Sequence, residues 1–263
     1  MSVETAIIPA GGLGTRMAPF SQCYPKEMVP VGVTPALFWI CQELLDADVK
    51  KISVVLSPEK EDLSGLLIHN FPEISFTFIT QDSPLGLADA LLCAYKKINI
   101  TPVHMVLPDN LCIEPGINVT RELTNAYTRV EHSVLGMIKV TRPKEAKLYG
   151  ASGIGKFSVV KGNLYKIEHL QDKQEGPVGD YAEVPFLRTI GRGVLTEDFF
   201  DIALKLSSGS SNENEFDDVP IYQQLIADFA LFGYLLPEMV YDIGNPDGYL
   251  AAQANLAQQR GVI

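Results

Sequence analysis

Through the first half of the chain, short runs of apolar and β-branched residues alternate with longer stretches whose apolar positions recur at helical spacing. The short runs fall at 6–8, 52–56, 76–79, 103–107 and 134–138. Between them, 35–45 (PALFWICQELL) and 87–95 (LADALLCAY) carry apolar stripes with few charges, as helices packed on a sheet require. This alternation predicts an α/β fold with a Rossmann-like, mixed but mainly parallel central sheet and flanking helices. After residue 150 the period shortens. The runs 155–160 and 164–167, joined by Lys161-Gly162-Asn163, read as an antiparallel hairpin, so a smaller antiparallel region is expected beside the main sheet. The stretch 207–218 (SSGSSNENEFDD) is small, polar and acidic and reads as a solvated surface loop. Helices at 219–230 and 246–259 finish the pattern, and no internal repeat is found.

Length and charge narrow the classes. At 263 residues the chain suffices for one large α/β domain, and 46% hydrophobic residues fit a globular protein. A formal charge of -11 disfavours a nucleic-acid partner, since phosphate backbones are held by basic surfaces. Cys23, Cys41, Cys93 and Cys112 form no Cys-x-x-Cys pair, and with the four histidines they match no zinc spacing; reduced thiols are expected. No leader-like stretch precedes residue 6 and no apolar run reaches membrane-spanning length, so a soluble, cytoplasmic protein is expected.

The chemistry concentrates where the first strand ends. Ala10-Gly11-Gly12-Leu13-Gly14-Thr15-Arg16 follows the run 6–8, and Pro25-Lys26-Glu27-Met28-Val29-Pro30 comes shortly after. Glycines at a strand end let backbone amides approach phosphate oxygens, and Arg16 with Lys26 supplies fixed positive charge against a polyanion. A dinucleotide fingerprint fits poorly, because Pro19 discourages the helix that should follow, and no Walker-type Gly-Lys-Ser/Thr string occurs. A plain tight turn is the structural alternative. Asp109 follows the apolar run 103–107, at the carboxyl end of a strand, where open α/β sheets place their ligand crevice. A buried carboxylate there calls for a metal ion or a cationic partner.

Eight blocks in fixed order, GGLGTR, YPKEMVPV, QDSPLGLADAL, LPDN, LYG, IEH, GRGVLTEDFF and YDIGNPDGYL, make the chain resemble the sugar-phosphate nucleotidyltransferases, most closely the bacterial UTP:glucose-1-phosphate uridylyltransferase type. The resemblance runs from about residue 5 to 250 and implies one GT-A-like domain over 1–263, with a nucleotide-binding half at about 1–115 and a sugar-binding half at about 116–263. It implies a nucleoside triphosphate, UTP in first place, and a sugar 1-phosphate, glucose 1-phosphate in first place, as ligands. Arg16 and Lys26 take the catalytic places. Ala10, Gly11, Gly12, Gly14, Thr15, Glu27, Gln81 and Gly86 fall at nucleotide positions, with Gln81 and Gly86 at the base. Gly150, Glu168, His169 and Thr189 fall at sugar positions, with Gly191 beside them, and Asp109 with Asp242 at the magnesium carboxylates. Relatives commonly assemble as dimers or tetramers, which leaves a homo-oligomer open.

One departure stands out. The resemblance calls for Glu-Lys-Pro where this chain has Glu168-His169-Leu170, and the missing lysine is the one expected at the sugar phosphate. Lys166 and Lys173 are the nearby cations. The departure keeps a second reading in view, a sugar-nucleotide-binding protein of the same fold with a regulatory role. A glycosyltransferase fits less well, because Asp109-Asn110-Leu111 lacks the second Asp of an Asp-x-Asp metal motif.

Overall fold

The first apolar run forms a strand in which every side chain from Thr5 to Ile8 is buried, as a strand covered on both faces requires. The computed structural model describes residues 2–12, 14–17, 25–141, 153–171, 185–208, 215–237 and 240–261. The strands within them are β1 (Thr5–Pro9), β2 (Pro30–Val31), β3 (Thr34–Pro35), β4 (Lys51–Leu56), β5 (Ser75–Thr80), β6 (Val103–Val106), β7 (Asn110–Leu111), β8 (Ser133–Val140), β9 (Gly155–Lys161), β10 (Leu164–Leu170), β11 (Phe186–Leu195), β12 (Leu231–Leu235) and β13 (Tyr241–Asp242). The helices are α1 (Ala36–Asp46), α2 (Leu63–Asn70), α3 (Leu87–Ile98), α4 (Val119–Val130), α5 (Glu197–Ser207), α6 (Val219–Ala227) and α7 (Pro246–Gln259).

Nine strands form one sheet in the order β5-β4-β1-β6-β11-β8-β12-β10-β9. β5, β4, β1 and β6 are mutually parallel, with Ile8 opposite Val54 and Ile7 opposite Met105. β11 runs against both β6 and β8, while β12 is parallel to β8. The predicted hairpin is β9 and β10, which closes the far edge against β12. All strands but β10 and β11 therefore point one way, so the expected mixed, mainly parallel sheet is present.

Successive residues of a strand face opposite sides, and the core divides accordingly. Ala6, Ile8, Ile52, Val54 and Val106 pack under α1, α2 and α7. Ile7, Val55, Val103 and Met105 pack on the other face under α3, α5 and α6. A third cluster joins α4 to β8 and β11. Two expectations need adjusting. Helix α6 stops at Ala227, three residues short, because Phe229 takes a positive φ of 57° that helical backbone excludes. The segment read as a solvated loop is drawn inward at its end: Phe216 N–H donates to Leu85 O (2.6 Å) and Asp218 is buried.

Candidate functional site

At the carboxyl ends of β1 and β6, and along β11, the chain leaves a cavity of about 610 Å³. Gly11, Gly12, Arg16, Lys26, Gln81, Gly86, Asp109, Thr189, Gly191 and Asp242 all line it. Residues from nearly the whole length of the chain, from Pro9 to Asp242, thus face one space.

The glycine loop is shaped from below by Lys60, a buried residue just past the end of β4. Its Nζ donates to Ala10 O (2.8 Å), to Gly12 O (2.5 Å) and to both carboxylate oxygens of Glu27 (3.0 Å each). In a trans peptide C=O and N–H point in opposite directions. Holding the Ala10 carbonyl toward Lys60 therefore turns the Gly11 N–H away from it. Glu27 is consequently the buried counter-ion of Lys60, with its carboxylate fully enclosed, and does not line the cavity. Burial pushes its carboxyl up despite the opposing charges of Lys60 and Lys26, and burial pulls Lys60 down despite Glu27. Ala10 is fully buried behind the wall. Gly14 has a φ of 69°, and a Cβ there would press on the Lys26 side chain at 3.1 Å. Thr15 opens a short 3-10 turn that ends at Met17 and carries Arg16 into the cavity; the Thr15 side chain is outside the described residues.

Lys26 reaches across to Asp109, Nζ to Oδ2 at 2.8 Å. Burial pulls the lysine's pKa down, but the Asp109 and Glu27 carboxylates overcome it and hold its pKa above the ordinary value. Burial likewise opposes ionisation of Asp109, and Lys26 wins, holding that carboxyl below the usual range. The second carboxylate arrives through the small pairing of β7 with β13, in which Asp242 lies opposite Asn110 and Ile243 N–H donates to Asp109 O (2.8 Å). Gly244 sits between the two carboxylates. A Cβ on it would lie 2.7 Å from Asp109 Oδ2 and 3.0 Å from Asp242 Oδ1. Burial, and then the negative charge of Asp109, push the Asp242 carboxyl up. Two acidic groups converging on one glycine offer oxygen ligands alone, the donor set a hard divalent cation prefers.

On the remaining wall, Thr189 and Gly191 lie inside β11, where the register with β8 is irregular between Thr189 and Gly193. Gly191 is required by packing: a Cβ would fall 2.2 Å from Leu107 Cδ1. Gly86 lines the cavity, yet the space its missing side chain leaves is taken by Phe216 O and Glu215 Cγ, which a Cβ would meet at 2.5 and 2.8 Å. Glu168 and His169 are exposed on β10 and are not among the lining residues, although Leu170 and Gln171 are. Lys166 stacks its ammonium 3.9 Å from the centre of the Phe229 ring. Gly150 and Lys173 lie outside the described residues.

Sequence reasoning passed over three residues here. Lys60 follows a buried strand in the same way Asp109 does, and the rule that singled out one would have found the other. Asn110 donates to Asp109 Oδ1 (2.9 Å) and accepts from Gly191 N–H (2.9 Å), tying the carboxylate to β11. Arg188, buried, adds a third cation to the cavity wall beside Arg16 and Lys26.

The profile of the family described as nucleotidyl transferase matches residues 5–259. A UTP–glucose-1-phosphate uridylyltransferase of Streptococcus pneumoniae is 28% identical over 97% of this chain and 90% of its own length. One of Pseudomonas aeruginosa is 25% identical over 95% of this chain and 94% of its own. A crystal structure of UDP-glucose pyrophosphorylase complexed with UDP-glucose superposes with a TM-score of 0.79 at 22% identity, covering 98% of this chain and 99% of that one.

Proposed function

The chain belongs to the nucleotidyl transferase family, and from that premise we propose that it joins UTP to glucose 1-phosphate, giving UDP-glucose and pyrophosphate. The observation that carries the reading is the meeting of Lys26, Asp109 and Asp242 on one side of a cavity whose other walls hold the glycine loop, Arg16 and Gln81. In this reaction an oxygen of the sugar phosphate attacks the α-phosphorus, the bond from that phosphorus to the bridging oxygen of the β-phosphate breaks, and pyrophosphate leaves. The attacking group is already an anion, so no side chain need act as base; positioning and charge neutralisation carry the rate.

Lys26 enters that step as a cation, kept charged by Asp109, and with Arg16 faces the triphosphate. The Gly11 N–H, turned outward by Lys60, adds a backbone donor to the same phosphates. Asp109 and Asp242 would hold a divalent ion, Mg²⁺, which when bound neutralises phosphate oxygens during transfer. Thr189 and Gly191 face the sugar side. Arg188 is the cation nearest that role, His169 being turned to solvent. The free thiols of Cys41, Cys93 and Cys112 suit the reducing cytoplasm, where we place the reaction.

Steady-state pyrophosphate release with UTP, glucose 1-phosphate and Mg²⁺ tests the proposal. Turnover should fall by at least about a hundredfold in Asp109→Ala and in Lys26→Ala. Binding of UDP-glucose with no turnover over a panel of sugar phosphates would instead support the regulatory reading.

A further inference from the structure

Gln81 stands just past β5, its backbone N–H tied to Leu56 O at 2.8 Å and its side chain on the cavity wall. An amide presents either two N–H donors or one oxygen acceptor to a ligand, according to how it is turned. Here the turn is dictated by what surrounds the nitrogen. Nε2 donates to Asp89 Oδ2 at 2.6 Å and to Gly86 O at 3.4 Å. Both partners are acceptors only, so the reversed amide would set oxygen against oxygen at each contact. Asp89 lies in the first turn of α3, where the helix dipole favours a negative charge. With both protons committed, Oε1 is the group left to a ligand. It faces Gly11 on the same cavity wall, where a Cβ would come within 3.0 Å of it.

We propose that Asp89 sets which base the cavity accepts: by engaging the Gln81 amide protons together with Gly86 O, it fixes Oε1 as an acceptor toward the base. Uracil carries an N–H at N3 and satisfies that acceptor. Cytosine carries a bare nitrogen at N3 and leaves two acceptors facing each other. Asp89 is a positioning residue, acting on the nucleotide only through Gln81, and its assignment rests on the UTP reading above.

Calorimetric binding of UMP and CMP to the full chain reads the effect without any turnover. The unmodified protein should prefer UMP. In Asp89→Asn the new amide can accept from Nε2 or donate to Oε1, so both orientations of Gln81 become accessible, and in Asp89→Ala the constraint is gone. The UMP-to-CMP preference should fall on the order of tenfold in each variant, with CMP binding no weaker than before. Equal weakening of both nucleotides, an unchanged ratio, or no preference in the unmodified protein would overturn the assignment. Pyrophosphate release from UTP is measured alongside. Its absence removes the proposed reaction, while the UMP and CMP ratios still decide the role of Asp89.

Discussion

Lys60 shows how a residue outside the cavity can govern it. Its ammonium joins the glycine loop to Glu27, the neighbour of Lys26, so one buried cation sets the spacing of two pieces of the cavity wall. Lys60→Met keeps much of the volume and removes the charge. Glu27 is then buried without its ion-pair partner, and stability should drop by about 3–5 kcal/mol in urea denaturation. The double variant Lys60→Met/Glu27→Gln should regain much of that stability. It should not regain turnover, because the Ala10 and Gly12 carbonyls stay unanchored and a displacement of about 1 Å can cost about a hundredfold in kcat. Equal recovery of both would reduce Lys60 to a structural role. The sequence made Lys26 and Asp109 legible because each sits in a motif or at a strand end. It hid Lys60, and with it the pairing of Glu27, because a carboxylate facing a ligand and one facing a buried lysine read alike until the lysine is placed in space.

Among the elements, β11 does the most joining. From its midpoint the fully buried Arg192 donates to Asn110 O (3.0 Å), to Thr120 Oγ1 (3.2 Å) and to Glu43 Oε1, linking β7, α4 and α1. Glu43 also accepts from the N–H (2.9 Å) and hydroxyl (2.7 Å) of Thr120, at the start of α4. Glu43→Leu leaves the guanidinium buried without its counter-charge, and a loss of about 3–5 kcal/mol is expected in chemical denaturation. Helices α1 and α3 were legible because their apolar stripes are wide. The reading left α4 unassigned, since its sequence is mostly polar and only Val119, Thr120, Leu123, Ala126 and Tyr127 form the buried stripe. β12 was hidden by Gly233, which reads as a breaker. It is there because a Cβ would fall 1.9 Å from Met137 Sδ on the next strand. β13, at two residues, has no period to detect.

For the whole molecule, the sheet can be tested through His104, at the centre of β6. It is entirely enclosed, with Nε2 3.0 Å from Thr124 Oγ1, and burial, followed by the charge of Arg192, pulls its pKa from 6.5 down to about 3. Between those values the unfolded chain binds a proton that the folded chain refuses. Stability therefore rises with pH across this window and falls as pH drops, by up to about 1.4 kcal/mol per pH unit from this group. His104→Gln should flatten that slope between pH 6 and 4, as followed by urea denaturation at each pH; an unchanged slope would clear His104 of the effect. The fold class was open to sequence reading because local period decides helix and strand. The convergence of Asp109 with Asp242 was reachable only through family resemblance, since no local signal pairs β7 with β13. The same interleaving governs how the protein is born. β11 is inserted between β6 and β8, and β13 joins β7 more than a hundred residues after it, so a nascent chain that has left the ribosome only through residue 240 has its glycine loop but a single acid. The pair of acids is thus assembled only once residues 241 and 242 have emerged and β13 has met β7, and a product stopped at residue 240 would carry the glycine loop and Asp109 without Asp242.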